Sequence, residues 1–340
     1  MAAAGRAFAD AGVAAIYLIH GTFAGNDGLG VFTELERIAP SLAQACRRAT
    51  KRAFNALLGE TGNYTPQFAE RMEQSLAAGP GRTIPVRLFN WSSMNHHIAR
   101  ADAAVRLVCE LAGLSQPIAP VPSPSWGGLG WGEGAGTSNP SNSGEITPPH
   151  QGEGSQRRRI LFWSHSHGGN ALAILTNLLA ADDQSRSDFF NAARIFYRGN
   201  HAPHSSFTAW PRAEQILADR NHPLRGLALD IVTFGTPLRY GWDAGGYSKL
   251  LHIINHRTHR RDADYAAPYP PNPFRLFTGR GGDFIQQVGI AGTNLAPLPL
   301  AYKTFLADRR LGRILQSDLT RQWLRTRLKC GPRVAEDGAT

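Results

Sequence analysis

Residues Ser164 to Gly169 read Ser-His-Ser-His-Gly-Gly, between a run of β-formers at Ile160 to Trp163 and a run of helix formers that begins at Asn170. A serine hydroxyl is a poor nucleophile until a neighbouring base takes its proton. It must also be presented to a substrate. A strand that turns sharply into a helix provides that presentation, and small flanking residues let the backbone make the corner. The general pattern is G-x-S-x-G. Ser164-His165-Ser166-His167-Gly168 fits it with serine in place of the first glycine. Ser166 is therefore the candidate nucleophile, and the N–H of His167, at the helix start, would face a developing oxyanion. The plain alternative is that Ser166 caps the helix with its side chain.

The elements that would carry this corner alternate along the chain. Ala14 to Ile19 reads as a buried strand, followed by the glycine-rich "HGTFAGNDGLG". Glu34 to Leu58 is helical in composition, with Pro40 expected to divide it. Thr83 to Trp91 reads as a strand. His97 to Leu114 carries apolar residues at three- and four-residue spacing and reads as an amphipathic helix. Strand Ile160–Trp163 and helix Asn170–Ala181 flank the corner, and Leu227–Pro237 and Lys249–Arg257 read as further strands. Alternation of this kind implies parallel βαβ units, an α/β class. Residues 117–156 break the rhythm. They are rich in Gly, Pro and Ser, cannot bury enough surface to offset their ordering entropy, and read as a disordered insertion.

Three motifs together resemble the α/β-hydrolase superfamily, specifically its bacterial lipase- and esterase-like members: "HGTF" at 20–23, "SHSHGGN" at 164–170 and "VTFGTPLRYGW" at 232–242. "FNWSSMNHHIAR" at 89–100 is similar to their strand-to-helix segment. The resemblance implies an α/β-hydrolase fold, a mostly parallel central sheet flanked by helices on both faces, in a single domain over residues 12–330 with a flexible tail at 331–340. It further implies hydrolysis of a carboxylic ester, of lipid or phospholipid type, with no metal and no cofactor. It makes the N–H of Thr22 or Phe23 the second oxyanion donor and His20 a structural hydrogen-bonding residue.

The base and its orienting acid are harder to read. The family order is Ser, then Asp or Glu, then His, yet the last histidine here is His259. We favour His256, at the end of a strand where catalytic loops gather. His252 reads as packed. His259, the loop-rich His201, His204 and His222, the flanking His165 and His167, and His96 and His97, read as surface residues, complete the set. Asp243 is slightly favoured as the acid over Asp283, whose glycine-rich loop follows the next strand. Asp262 and Asp264 sit among arginines and read as ion-paired.

Composition sets outer bounds. A hydrophobic content of 42% over 340 residues is enough for a large core. The net charge of +10 comes from scattered basic residues. No zinc-finger or aromatic RNA-binding pattern accompanies it, so no nucleic-acid partner is expected; the charge reads mainly as a matter of solubility, with peripheral contact with an anionic membrane a secondary expectation. Three distant cysteines, Cys46, Cys109 and Cys330, argue against a disulfide framework. Without a leader-like start, the expected location is cytoplasmic, or exported without a cleavable leader. A catalytically degenerate scaffold of the same fold, binding a ligand without turnover, is the second expectation.

Overall fold

The computed structural model describes residues 1–21, 27, 30–58, 63–77, 83–115, 158–199, 206–237, 239–255, 283, 285–286 and 301–315. Its centre is a five-stranded, all-parallel sheet: β1 (Val13–Ile19), β2 (Val86–Phe89), β3 (Arg159–His165), β4 (Ala228–Phe234) and β5 (Lys249–Ile253), in the order β2-β1-β3-β4-β5. The central strands read as near-continuous apolar runs because both of their faces are covered.

The helices are α1 (Ala2–Asp10), α2 (Val31–Glu36), α3 (Pro40–Leu58), α4 (Pro66–Leu76), α5 (His97–Ser115), α6 (Gly168–Ala180), α7 (Asp183–Tyr197), α8 (Ala209–Ala218) and α9 (Tyr302–Leu315). Pro40 divides the helical stretch as expected: α2 ends at Glu36 and α3 opens at Pro40, since a helix's first residue needs no N–H. Thr65 caps α4 by accepting the Phe68 N–H at 3.2 Å, with Pro66 at the first position. Asp182 caps α7 through the Ser185 N–H at 2.7 Å.

One face of the sheet, through Tyr17, Ile19, Ile160, Phe162, Leu229 and Ile231, packs on α5, α6, α7 and α8. The other, through Val13, Ile16, Leu18 and Leu161, packs on Ala69, Met72 and Leu76 of α4, with Phe8 of α1 alongside. α1 lies so close to α4 that a Cβ on Gly5 would meet the Leu76 carbonyl oxygen at 1.8 Å. The packed unit thus includes residues ahead of position 12. The stretch read as loop-rich before β4 holds α8, whose Trp210 is fully buried. The proposed insertion 117–156 and tail 331–340 lie outside the described residues. Among the described helices none is long and apolar enough to cross a membrane.

The chain leaves β1 for β2 on one side, then returns to β3 on the other and continues outward to β4 and β5. The C-terminal ends of β1 and β3 therefore flank the point where the winding reverses. In open α/β sheets that crevice is where ligands bind.

Candidate active site

Ser166 stands at this crevice, directly after β3. It has φ +51°, one of two non-glycine residues with positive φ among those described. A side chain in that region is strained by about 1–3 kcal/mol and persists only where the surroundings hold it. Three bonds do so. The Ser166 N–H donates to the Phe234 carbonyl at 2.9 Å, beyond the end of the β3–β4 ladder. Its carbonyl accepts from Thr236 Oγ1 at 2.9 Å and from the Gly169 N–H at 3.1 Å. Among the described residues Ser166 Oγ forms no hydrogen bond and caps nothing; the residue before α6 is His167, and it too makes no side-chain cap. The helix-cap alternative for Ser166 is thereby removed. Ser166 is 8% exposed.

Two glycines allow the close approach. A Cβ on Gly21 would lie 2.9 Å from Ser166 Cβ and 3.0 Å from His165 Nδ1. The serine and the His165 ring therefore converge on the start of the loop after β1, although the alternating directions of a strand argue for divergence. A Cβ on Gly168 would lie 2.8 Å from the His20 carbonyl oxygen and 2.9 Å from Ile19 Cγ2. Gly168→Ala is expected to push α6 off the end of β1, lowering stability by roughly 1–3 kcal/mol. Urea denaturation of the variant measures this, and a midpoint equal to the parent's would show that α6 is free to shift.

His20 holds the end of β1 against the segment after β2. Its Nδ1 meets the Gly21 carbonyl at 3.0 Å and its Nε2 accepts the Trp91 N–H at 3.4 Å. Trp91 Nε1 returns a bond to the His20 carbonyl at 2.9 Å, and the rings stack at 5.9 Å. Burial, with Lys51 adding to it, drives the His20 pKa down to about 3, so the ring is neutral.

The two candidate carboxylates fall in different places, and the preference between them reverses. Asp243 caps a single 3-10 turn through the Gly245 N–H at 2.9 Å. That turn packs against Thr176 and Ala180, about 12–18 Å down α6 from Gly168 at 1.5 Å per residue. Asp243 cannot orient a base at Ser166. Asp283 sits at the C-terminal edge of the sheet. Its Oδ2 accepts the Asn255 N–H at 2.8 Å, and its Oδ1 accepts those of Ile285 at 2.8 Å and Gln286 at 3.1 Å. A Cβ on Gly235, at the end of β4, would lie 3.1 Å from Oδ1. His256, the favoured base, and the oxyanion candidates Thr22 and Phe23 lie outside the described residues, as do His201, His204, His259, Asp262 and Asp264.

The described histidines sort by position. His165 Nδ1 is buried and takes no hydrogen bond among the described residues. Burial lowers its pKa and the Asp283 charge opposes that. His167 pairs its Nδ1 with Asn170 Nδ2 at 3.0 Å, and Asn170 Nδ2 in turn donates to the Pro237 carbonyl at 2.8 Å. His252 meets Thr233 Oγ1 at 2.6 Å, two strands from β3. His222 caps a 3-10 turn leading into β4, at the opposite edge of the sheet. His96 and His97 are buried at 4% and 2% exposure, correcting the surface reading; His97 Nδ1 meets Tyr240 Oη at 2.8 Å. Sequence reasoning overlooked the pairing of Thr236 with the Ser166 carbonyl, although Thr236 lies inside the "VTFGTP" motif. Among the described residues no three His, Cys, Asp or Glu side chains are grouped to hold a metal ion.

Buried neutral histidines predict an acid limb to stability. Burial lowers His20, His96 and His97 to about 3 and His252 to about 4, from 6.5. Between those values the unfolded chain binds protons that the folded chain does not, so stability falls as pH drops below about 6.5. Denaturation midpoints taken from pH 7 to pH 4 check the sign. His20→Asn is expected to flatten the slope by one proton.

No family model, no curated protein and no solved structure matches the chain.

Proposed function

We propose that the protein is a serine hydrolase that cleaves carboxylic esters through an acyl-enzyme on Ser166. The observation that carries this reading is the strained serine at the crevice where the winding of the sheet reverses, its hydroxyl unbonded among the described residues. Residues held in this strained region cluster at active sites and ligand clamps. In the proposed step Ser166 Oγ attacks the ester carbonyl while a base takes its proton. The tetrahedral oxyanion is held by backbone N–H groups, with His167 and Thr22 or Phe23 the candidates. The base returns the proton to the departing alkoxide, and water then releases the acid.

His256 is the proposed base. Its chain neighbour Asn255 is tied by its N–H to Asp283, at 2.8 Å. Asp283 replaces Asp243 as the acid that would orient the imidazole. A lipid or phospholipid ester remains the proposed substrate class. The net charge of +10 would favour an anionic surface by roughly 1 kcal/mol for each Lys or Arg that reaches it.

One observation favours the scaffold reading: among the described residues, no imidazole hydrogen-bonds Ser166 Oγ. Labelling with a fluorophosphonate probe, followed by mapping of the modified peptide, decides between the two. Modification at Ser166 is the expected result. An unmodified protein that remains folded would leave the scaffold. Labelling of His256→Ala and His165→Ala variants then assigns the base, which is the one whose loss stops the reaction.

A further inference from the structure

A second concave site lies on the same end of the sheet, beyond β2. It is a cavity of about 220 Å³ enclosed by α2, α3, the segment after β2, α5 and α7. That is room for about seven waters at liquid density. Its walls include Glu36, Arg47, Ser92, Asp102, Arg106 and Phe196.

Three polar groups here have unspent hydrogen-bonding capacity. Ser92 is 9% exposed, and its Oγ is fully buried with no hydrogen-bond partner among the described residues. Buried hydroxyls are almost always paired, because leaving one unpaired forfeits its hydration with no return. Asp102 uses Oδ1 to accept Trp210 Nε1 at 2.9 Å, whereas its Oδ2 lies 3.9 Å from Arg106 Nη1, beyond hydrogen-bond length. Arg106 spends Nη2 on the Asn90 carbonyl at 2.9 Å and lays its guanidinium over the Phe89 ring. The wall therefore presents a donor on Arg106 and an acceptor on Asp102, with the unpaired Ser92 hydroxyl directly behind it.

The charges of the wall identify the ligand class. Two guanidiniums face two carboxylates. Arg47 hydrogen-bonds Glu36 through Nη1, and its Nη2 lies 3.7 Å from Asp27. A charged ligand would have to compete with these pairs. Hydroxyls disturb none of them, since each can donate to a carboxylate and accept from a guanidinium. Phe196, Met94 and Ile98 supply the apolar side that a carbon skeleton needs. The frame is held in advance: Asp27 accepts the Phe32 N–H at 3.0 Å and the Thr33 N–H and hydroxyl at 2.6 Å each, fixing the start of α2.

We propose that this cavity binds a small uncharged polyol, of the glycerol or simple glycoside class. The site is lined by none of the residues placed around Ser166 and does not depend on hydrolysis.

Saturation-transfer NMR on the full chain tests this with glycerol and methyl α-glucoside, and with inorganic phosphate and glycine as charged comparators. Transfer to a polyol and not to the charged probes is expected. Ser92→Met and Ala99→Leu, which fill the cavity from two different walls, are each expected to weaken polyol binding at least about tenfold, and Ser92→Val several-fold. Ser166→Ala is expected to leave it unchanged. Absence of transfer to both polyols, preference for phosphate or glycine, or undiminished binding in both filled variants would overturn the proposal. The folded state of each variant is checked by its thermal transition.

Discussion

Ser166→Ala is expected to abolish fluorophosphonate labelling and to reduce hydrolysis of a p-nitrophenyl ester by roughly 10⁴–10⁶-fold, with residual rate from the oxyanion donors alone. The fold should be unaffected, because the bonds that hold position 166 come from its backbone: its N–H to Phe234, and its carbonyl from Thr236 and Gly169. Ser166→Gly separates strain from chemistry. Glycine carries no β-carbon to be strained at φ +51°, so this variant should be as inactive as Ser166→Ala yet more stable than the parent by about 1 kcal/mol. A hydroxyl with a purely structural role predicts the opposite pattern, with stability lost in both variants. Paired rate and urea-denaturation measurements on the two variants distinguish these outcomes.

Trp210→Ala is expected to give the largest loss of stability, about 3–5 kcal/mol. The ring is fully buried. It stacks on Tyr197 at 5.2 Å and on Phe189 at 5.9 Å, and meets the rings of Phe196 at 5.8 Å and Phe190 at 6.1 Å. Truncation opens a void under α7 and α8 and removes the Nε1–H that satisfies Asp102 Oδ1. Domains of this kind hold about 5–15 kcal/mol in all, so the variant should be marginal at 37 °C. Trp210→Phe keeps most of the aromatic contact and loses the hydrogen bond, for an expected 1–2 kcal/mol. Urea midpoints in the order parent, Phe variant, Ala variant check the assignment. An Ala variant within 1 kcal/mol of the parent would mean that the cluster collapses into the space.

Much of the frame was legible because the signals are local. The apolar runs of β1, β3 and β4 and the three-and-four spacing of α5 are properties of a few consecutive residues. The small residues around Ser166 likewise announce a corner without reference to anything distant. Helix α8 was hidden in a stretch of mixed composition. It forms where Trp210 is buried among the rings of α7, a stabilisation that comes from tertiary packing more than from propensity.

The candidate carboxylates illustrate the limit most clearly. Asp243 and Asp283 each follow a strand and look alike in the sequence. Only the packing of one turn against α6 removes the first, while the N–H of Asn255 ties the second to the edge of the sheet. His96 and His97 were read as surface residues because a helix start is usually wet; here Asp308 of α9 accepts the Ile98 N–H at 3.0 Å and covers them.

The sequence by itself determined the alternation of strands and helices and the sharp corner at Ser166, since both follow from side-chain size, branching and period within short windows. Only the tertiary structure decided which carboxylate stands at the C-terminal edge of the sheet, which histidines are buried and neutral, and that a polar cavity opens beyond β2. Those depend on contacts between residues far apart in the chain, which close approach and burial create and no local pattern encodes.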